Sequence, residues 1–219
     1  GRATAIVGES GSGKTTLLRC FNRLVEPERG QVFVGELDVR TQSAVLLRRR
    51  IGYVQQHGGL LPHWQVVRNV ALVPTLLQMP DAGEAARRAL ELVGLPPAQF
   101  GSRLPHELSG GQRQRVALAR SIAAQPDVIL LDEPFGALDA ISRSDLQEAF
   151  SNLRGELAVT TLLVTHDLAE AGRLADEVIV MRRGRIEQRG AMSDLVSAPA
   201  TDYVARLIEK ARAGLEALR

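Results

Sequence analysis

Short apolar runs alternate with helical segments along most of this 219-residue chain. The runs are rich in Val, Ile and Leu and lack the polar alternation of a half-exposed strand, so we predict strands buried on both faces. Strands that alternate with helices predict an α/β fold in which helices wrap a parallel sheet. The predicted strands are Ala3–Val7, Ile51–Val54, 128–131, 161–165 and 177–181.

Apolar positions at helical spacing predict the helices between these strands. Leu17, Leu18, Phe21 and Leu24 share one face of a helix that ends before Pro27. Further helices are predicted to end at Arg50, to cover 142–153 and 168–174, and to start at 202. Between 66 and 124 helices follow one another without a strand, at 66–77 with a break at Pro74, at 84–93 and at 110–124.

This pattern predicts how the chain is organised. We expect residues 1–65 and 125–219 to form the α/β core, and residues 66–124 to form an all-helical insertion. Residues 31–39 predict a hairpin that turns at Gly35, which indicates a small antiparallel β part beside the core.

Composition narrows the possible functions. The formal charge of +2 is spread along the chain and only 4% of residues are aromatic, so we do not expect nucleic-acid binding. The single cysteine, Cys20, excludes an internal disulfide bond and indicates a buried thiol in a reducing compartment. No apolar run approaches the roughly 20 residues of a membrane-spanning helix.

A phosphate-binding loop follows the first predicted strand and opens a helix. The segment from 8 to 15 matches G-x-x-x-x-G-K-[ST], in which backbone N–H groups surround phosphate oxygens. Lys14 is expected to reach the β- and γ-phosphates, and the Thr15 hydroxyl to bind Mg²⁺. The predicted ATP-binding residues are Gly8, Glu9, Ser10, Gly11, Ser12, Gly13, Lys14, Thr15 and Thr16.

Polar side chains follow two other buried strands. Asp132 and Glu133 end one of them and His166 ends another, and in a parallel sheet such strand ends meet at one crevice. Asp132 is expected to hold Mg²⁺ through water, and Glu133 to act as the general base towards the attacking water. The alternatives are a solvated turn at 132–134 and a structural role for His166.

A glycine-rich helix start, Leu108-Ser109-Gly110-Gly111-Gln112, precedes Asp132 and Glu133. Together with the phosphate loop, in this order, it resembles the nucleotide-binding subunit of ATP-binding-cassette (ABC) transporters, and the resemblance covers the whole chain. It implies a P-loop NTPase core and an ATPase that converts ATP and water into ADP and phosphate.

The resemblance also assigns residue roles. It implies that His166 contacts the γ-phosphate and that Gln56, or else Gln55, joins the core to the insertion and senses Mg²⁺ and the attacking water. The expected catalytic set is Glu133, His166 and Gln56, and the expected metal set is Thr15, Gln56 and Asp132. A second copy of the chain would place five residues on the ATP of this one: Ser109, Gly110, Gly111, Gln112 and Asp139.

Residues 48–62 and 132–139 are similar to importer subunits, and residues 69–77 are most similar to the importers of glycine betaine, choline, carnitine and related quaternary amines. Such a subunit would lie at the cytoplasmic face of the plasma membrane with a permease, and indirectly with a solute-binding protein. Leu61 and Trp64 are expected to line the cleft for a permease helix. The alternatives are an importer of another small solute such as an amino acid, a non-transport cassette ATPase, and a non-hydrolytic regulatory module.

The family features at the two ends of a cassette are not found in this sequence. The chain starts at Gly1, and the resemblance implies that β-strands and an adenine-stacking aromatic residue precede it. The regulatory domain common in the quaternary-amine group would follow Arg219. Three further histidines, His57, His63 and His106, are interpreted as surface or packing residues.

Overall fold

A computed structural model of the chain describes residues 1–56, 58–136 and 138–216. Five of the eight described strands agree closely with the apolar runs. The strands are β1 (Ala3–Val7), β2 (Phe33–Val34), β3 (Leu37–Asp38), β4 (Ile51–Val54), β5 (Val128–Asp132), β6 (Thr160–Thr165), β7 (Glu177–Arg182) and β8 (Arg185–Gly190).

One six-stranded sheet has the order β4-β5-β6-β1-β7-β8, and β2 and β3 form a separate antiparallel hairpin. The first five strands of that order pair in parallel. At one edge of the sheet, β8 pairs antiparallel to β7, a pairing that the sequence did not predict. A tight turn at Arg183 and Gly184 joins these two strands, and such a turn can only return the chain in the opposite direction.

The described helices cover both faces of the sheet and fill the region between β4 and β5. They are α1 (Lys14–Phe21), α2 (Ala44–Arg50), α3 (Val66–Val70), α4 (Leu72–Leu76), α5 (Ala82–Leu92), α6 (Pro97–Phe100), α7 (Gly110–Ile122), α8 (Ala140–Glu156), α9 (Leu168–Leu174), α10 (Met192–Ser197) and α11 (Asp202–Glu216). No strand lies among the described residues from 66 to 124. The short elements α6 and α10 were not predicted, and α8 begins two residues earlier than expected.

The sheet separates two apolar clusters. Along β1, Ala5 and Val7 belong to the larger cluster with α7, α8 and α9, whereas Ile6 belongs to the smaller one with Leu18 and Val39. Successive strand residues point to opposite faces, so an apolar run without alternation is what a strand covered on both sides requires. Strand β1, buried at four of its five residues, therefore leads from the core directly into the phosphate loop.

Two helix predictions need correction. Leu24 does not belong to the core face of α1, because the helix ends at Phe21 and Leu24 is 48% exposed. Arg23 has φ of 55°, a left-handed conformation that terminates the helix and turns the chain away. The break in the segment from 66 to 77 lies at Ala71 and not at Pro74, because a proline displaces the carbonyl group four residues before it.

Cys20 is buried, and burial raises the pKa of its thiol. Across the described residues there is no helix with the length and apolar character needed to cross a bilayer.

Candidate functional site

A cavity of about 430 Å³ lies where the phosphate loop meets the ends of β5 and β6. Residues from four separate parts of the chain line it, and each of them was predicted as a site residue. They are Ser10, Gly11, Gly13, Lys14, Thr15, Thr16, Gln56, Glu133 and His166.

The phosphate loop has the backbone conformation that its glycines allow. Gly11 and Gly13 have φ of 77° and 97°, in the left-handed region where side chains are disfavoured. A Cβ atom at Gly8 would collide with the carbonyl oxygen of Met181 in β7. The loop is therefore packed against the sheet on one side and open to the cavity on the other.

Lys14 lies inside this loop, and only 5% of it is exposed. Its Nζ donates hydrogen bonds to the carbonyl oxygens of Gly8 at 2.8 Å and Glu9 at 2.9 Å. Burial lowers the pKa of Lys14, and the nearby carboxylates of Glu133 and Asp132 oppose that shift. A buried cation in this position is arranged to attract phosphate oxygens.

Asp132 is buried at the end of β5, and both of its carboxylate oxygens have partners. The Thr15 hydroxyl donates to Oδ1 at 2.7 Å. On the other side, Arg19 Nη2 and the Tyr53 hydroxyl each lie 3.3 Å from Oδ2. Arg19 and Tyr53 were not predicted as site residues. Arg19 lies one turn beyond Thr15 on α1, and Tyr53 lies in β4, next to the strand that ends at Asp132.

The oxygen donors at this position suit a hard divalent cation. Mg²⁺ prefers oxygen ligands and usually keeps several waters beside one or two protein groups. The hydrogen bond to Asp132 uses the Thr15 proton and leaves hydroxyl lone pairs free. No cluster of three or more His, Cys, Asp or Glu side chains suited to a metal occurs in the described parts of the chain.

Glu133 has φ of 46°, a strained conformation for a residue with a side chain. Its backbone N–H donates to Val164 O at 3.0 Å, which holds the strained residue against β6. Its Oε2 accepts a hydrogen bond from Gln56 Nε2 at 3.2 Å and lies 3.5 Å from His166 Nδ1. The structure thus brings together the three side chains predicted as catalytic.

The residues predicted to contact a second copy lie elsewhere. Ser109 caps α7: its Oγ accepts from Gln112 N–H at 3.2 Å, and Gln112 Oε1 accepts from Ser109 N–H at 3.0 Å. Asp139 caps α8 by accepting from Ser142 N–H at 3.0 Å, and this bond lowers the pKa of Asp139. None of the five predicted residues lines the cavity of the phosphate loop.

Helix α7 holds the segment that follows Gln56, a function that the sequence did not reveal. Gln114 Nε2 donates to Gln56 O at 3.2 Å and to Pro134 O at 2.9 Å. Arg120 donates to Gly59 O at 2.8 Å and Gly58 O at 2.7 Å, and burial lowers the pKa of its guanidinium. Helix α7, which Ser109 caps, is therefore hydrogen-bonded both to Gln56 and to Pro134, the residue after Glu133.

The segment from 58 to 64 is partly covered by its own domain. Leu60 packs against the larger core cluster, whereas Leu61 and Trp64 are half-buried. The buried Asn69 binds both backbone groups of Leu61 and the carbonyl of Trp64. Among the other histidines, His63 and His106 are exposed, and His57 lies outside the described residues.

The family model described as "ABC transporter" matches residues 1–136. This chain belongs to the ABC transporter family. The family assignment agrees with the order of the phosphate loop, the segment at 108–112 and the Asp132–Glu133 pair.

Relatives within this ABC family are importer subunits. The choline transport ATP-binding protein OpuBA of Bacillus subtilis is 45% identical over 97% of this chain. The glycine betaine uptake system ATP-binding protein YehX of Escherichia coli is 42% identical over 100% of it. A sulfate/thiosulfate import ATP-binding protein, CysA of Mycobacterium bovis, is 47% identical over 93% of it. The chain spans 56%, 71% and 58% of these relatives, respectively.

A solved ABC cassette has the same fold. The dimeric structure of MJ0796, described as a bacterial ABC transporter cassette, superposes with a TM-score of 0.77 at 32% identity. The match covers 87% of this chain and 85% of that one. The fold predicted from the strand and helix pattern is confirmed.

Proposed function

We propose that this chain binds and hydrolyses ATP as the energising subunit of an importer. The observation that carries this proposal is that Gln56 and His166 both lie within 3.5 Å of the Glu133 carboxylate beside the phosphate loop. A phosphate loop alone is consistent with nucleotide binding, whereas a carboxylate beside it adds a base for water attack.

Binding of the triphosphate rests on the loop and its lysine. Backbone N–H groups of residues 8 to 16 surround the phosphates at the start of α1, where the helix dipole favours anions. Lys14 exchanges its two carbonyl partners for phosphate oxygens. Thr15 and Gln56 would hold Mg²⁺ and Asp132 would hold it through water; bound Mg²⁺ would neutralise charge on the β- and γ-phosphates.

Hydrolysis requires a water aligned with the γ-phosphate. Glu133 accepts a proton from that water, and its strained backbone points the carboxylate into the cavity. Gln56 and His166 flank the carboxylate, which places an amide and an imidazole where the water and the departing phosphate would lie.

The residues at Ser109–Gln112 and Asp139 act on a second copy of the chain. These residues lie at the N-termini of α7 and α8, on a surface separate from the phosphate-loop cavity. The nucleotide of a partner can therefore reach them only across an interface. MJ0796, solved as a dimer, supports this arrangement. We also propose that residues 1–65 and 125–219 form the core and residues 66–124 a helical subdomain that moves on closure.

The transported solute is a quaternary amine such as glycine betaine, choline or carnitine. OpuBA and YehX support this class by their names. The second candidate is another small solute, favoured by the similar identity of CysA. In either case the chain works with a permease at the cytoplasmic face of the membrane, and the permease receives solute from a binding protein. Leu61 and Trp64 line the cleft that accepts a permease helix.

Two measurements test this proposal. The purified chain should release phosphate from Mg²⁺–ATP, and the Lys14→Ala variant should release none above background. Reconstituted with its permease and binding protein, it should take up radiolabelled choline or glycine betaine, and excess sulfate should not compete. Absence of phosphate release would refute the ATPase, whereas sulfate uptake without choline uptake would replace the solute.

A further inference from the structure

A buried carboxylate, Glu170 on α9, lies outside the cavity and has no part in the proposed chemistry. Only 8% of the residue is exposed. Its Oε1 accepts a hydrogen bond from Gln147 Nε2 at 2.8 Å, and its Oε2 accepts one from the Thr165 hydroxyl. Burial raises the pKa of Glu170, and these two bonds oppose the shift. Burying a carboxylate is costly unless it is bonded, so this position is suited to holding two specific partners.

The first partner fixes the backbone around His166. The Thr165 hydroxyl donates to Glu170 and accepts from the Asp167 N–H at 3.0 Å. Asp167 in turn caps α9 by accepting from Ala169 N–H at 2.8 Å. The residues on either side of His166 are thus held through Thr165, while the His166 side chain is 61% exposed and can follow a phosphate.

The second partner belongs to the helix that carries the predicted interface residue. Gln147 lies on α8, and Asp139 is the N-cap of that helix. The eight steps from residue 139 to residue 147 correspond to about 12 Å along a helix axis. Arg143 lies between them on the same helix, donates to Leu138 O at 3.1 Å, and has a favourable charge interaction with Glu170.

We propose that Glu170 is a positioning residue that joins α8 to the end of β6, where His166 follows. This inference rests on the proposed ATP-bound dimer. Through Thr165 and Gln147, Glu170 couples the γ-phosphate contact of His166 in one subunit to the Asp139 contact with the other subunit. Release of the γ-phosphate at one site is then transmitted as a displacement of α8 at the interface.

The chain supplies a matched control for this link. Arg154, also on α8, donates to Leu174 O at 2.6 Å and to Asp176 at 2.9 Å. This second tether joins the far end of α8 to the end of α9 and does not contact Thr165. Its loss should weaken the same packing without disturbing either His166 or Asp139.

The test compares turnover, cooperativity, affinity and stability in four variants. Glu170→Gln removes the negative charge, so the bonds to Thr165 and Gln147 become weaker bonds between neutral groups. It should lower kcat about tenfold, because the charge assistance of these buried bonds is lost. It should bring the Hill coefficient for ATP to 1 and leave the Kd for ATP unchanged. The double variant Gln147→Glu/Glu170→Gln restores a charge-assisted bond between positions 147 and 170 with the groups exchanged, and should recover kcat and the Hill coefficient.

The third variant, Gln147→Leu, keeps the Thr165 bond and should also lose cooperativity, so the test stands even where Glu170→Gln does not fold. The fourth, Arg154→Met, should lower Tm and leave kcat and the Hill coefficient at wild-type values.

Three results would overturn the coupling. They are a lower Tm with unchanged kcat and Hill coefficient in Glu170→Gln, a well-folded exchange variant without recovery, and equal kinetic losses in Arg154→Met. A wild-type chain that hydrolyses no ATP would instead refute the proposed function. Wild-type and variant chains that are equally cooperative would refute only the role of Glu170.

Discussion

The bonds between Arg120 and the segment after Gln56 predict a measurable dependence of catalysis on α7. Arg120→Met removes the guanidinium and keeps an apolar side chain of similar length with a good helix propensity. The change deletes the hydrogen bonds to Gly58 O at 2.7 Å and Gly59 O at 2.8 Å. Among the described residues, the segment that begins at Gln56 then keeps the Gln114 bond to α7.

The expected magnitude follows from the burial of the two carbonyl groups. A hydrogen bond to a charged group contributes about 1.5–3 kcal/mol net. Gly59 is exposed and its carbonyl regains water, whereas Gly58 is buried and its carbonyl loses its partner. We therefore expect a loss of about 2–4 kcal/mol of unfolding free energy, or about 5–12 °C in Tm for a chain of this length.

Turnover should fall by more than the loss of folding stability alone would cause. Loosening the segment displaces Gln56 from Glu133, and misplacement of such a group by about 1 Å lowers kcat by roughly tenfold or more. Thermal unfolding and steady-state phosphate release at 25 °C measure the two effects. Arg87→Met is the control, because the exposed ion pair of Arg87 with Glu84 contributes about 0–1 kcal/mol. A Tm within 2 °C of wild type together with turnover within a factor of two would show that Arg120 does not hold Gln56 in place.

Three further predictions concern other parts of the chain. Because burial raises the pKa of the Cys20 thiol, iodoacetamide should alkylate it at least about tenfold more slowly at pH 8 in the folded chain than in urea; equal rates would show that the thiol is accessible. Leu61→Asp should leave phosphate release intact and abolish assembly with the permease and uptake; unfolding of the variant or normal uptake would contradict the cleft assignment. Ser109→Arg mixed with Lys14→Ala should regain activity, because one site of the mixed dimer keeps both an intact phosphate loop and an intact Ser109–Gln112 segment; no recovery over either variant alone would contradict a site shared between two copies.

Much of the fold follows from local pattern. The strands buried on both faces have few polar residues to break their apolar runs, and the glycines and Lys14 of the phosphate loop occur at fixed spacing. Strand β8 was missed because its sequence, Arg185–Gly190, is mostly polar and is exposed at the edge of the sheet. The break before Pro74 was misplaced because a proline disturbs the carbonyl group four residues earlier.

The supporting residues of the site could not be predicted in the same way. Glu170, Gln114 and Arg120 are polar residues on helices, where the sequence pattern favours a solvated face. Their burial depends on partners distant in sequence, such as Gln147 for Glu170 and Gly58 for Arg120. Only the packing of helices against the sheet ends reveals these contacts.

The most direct measurement of the central claim uses the Glu133→Gln variant with Mg²⁺–ATP. Loss of a general base lowers turnover by about 10²-fold or more while the phosphate loop is unchanged. We expect the variant to bind ATP with wild-type affinity, to hydrolyse almost none, and to show by light scattering twice the 23.7 kDa mass of the single chain. A variant that stays monomeric with ATP bound, or that turns over within threefold of wild type, would contradict this expectation.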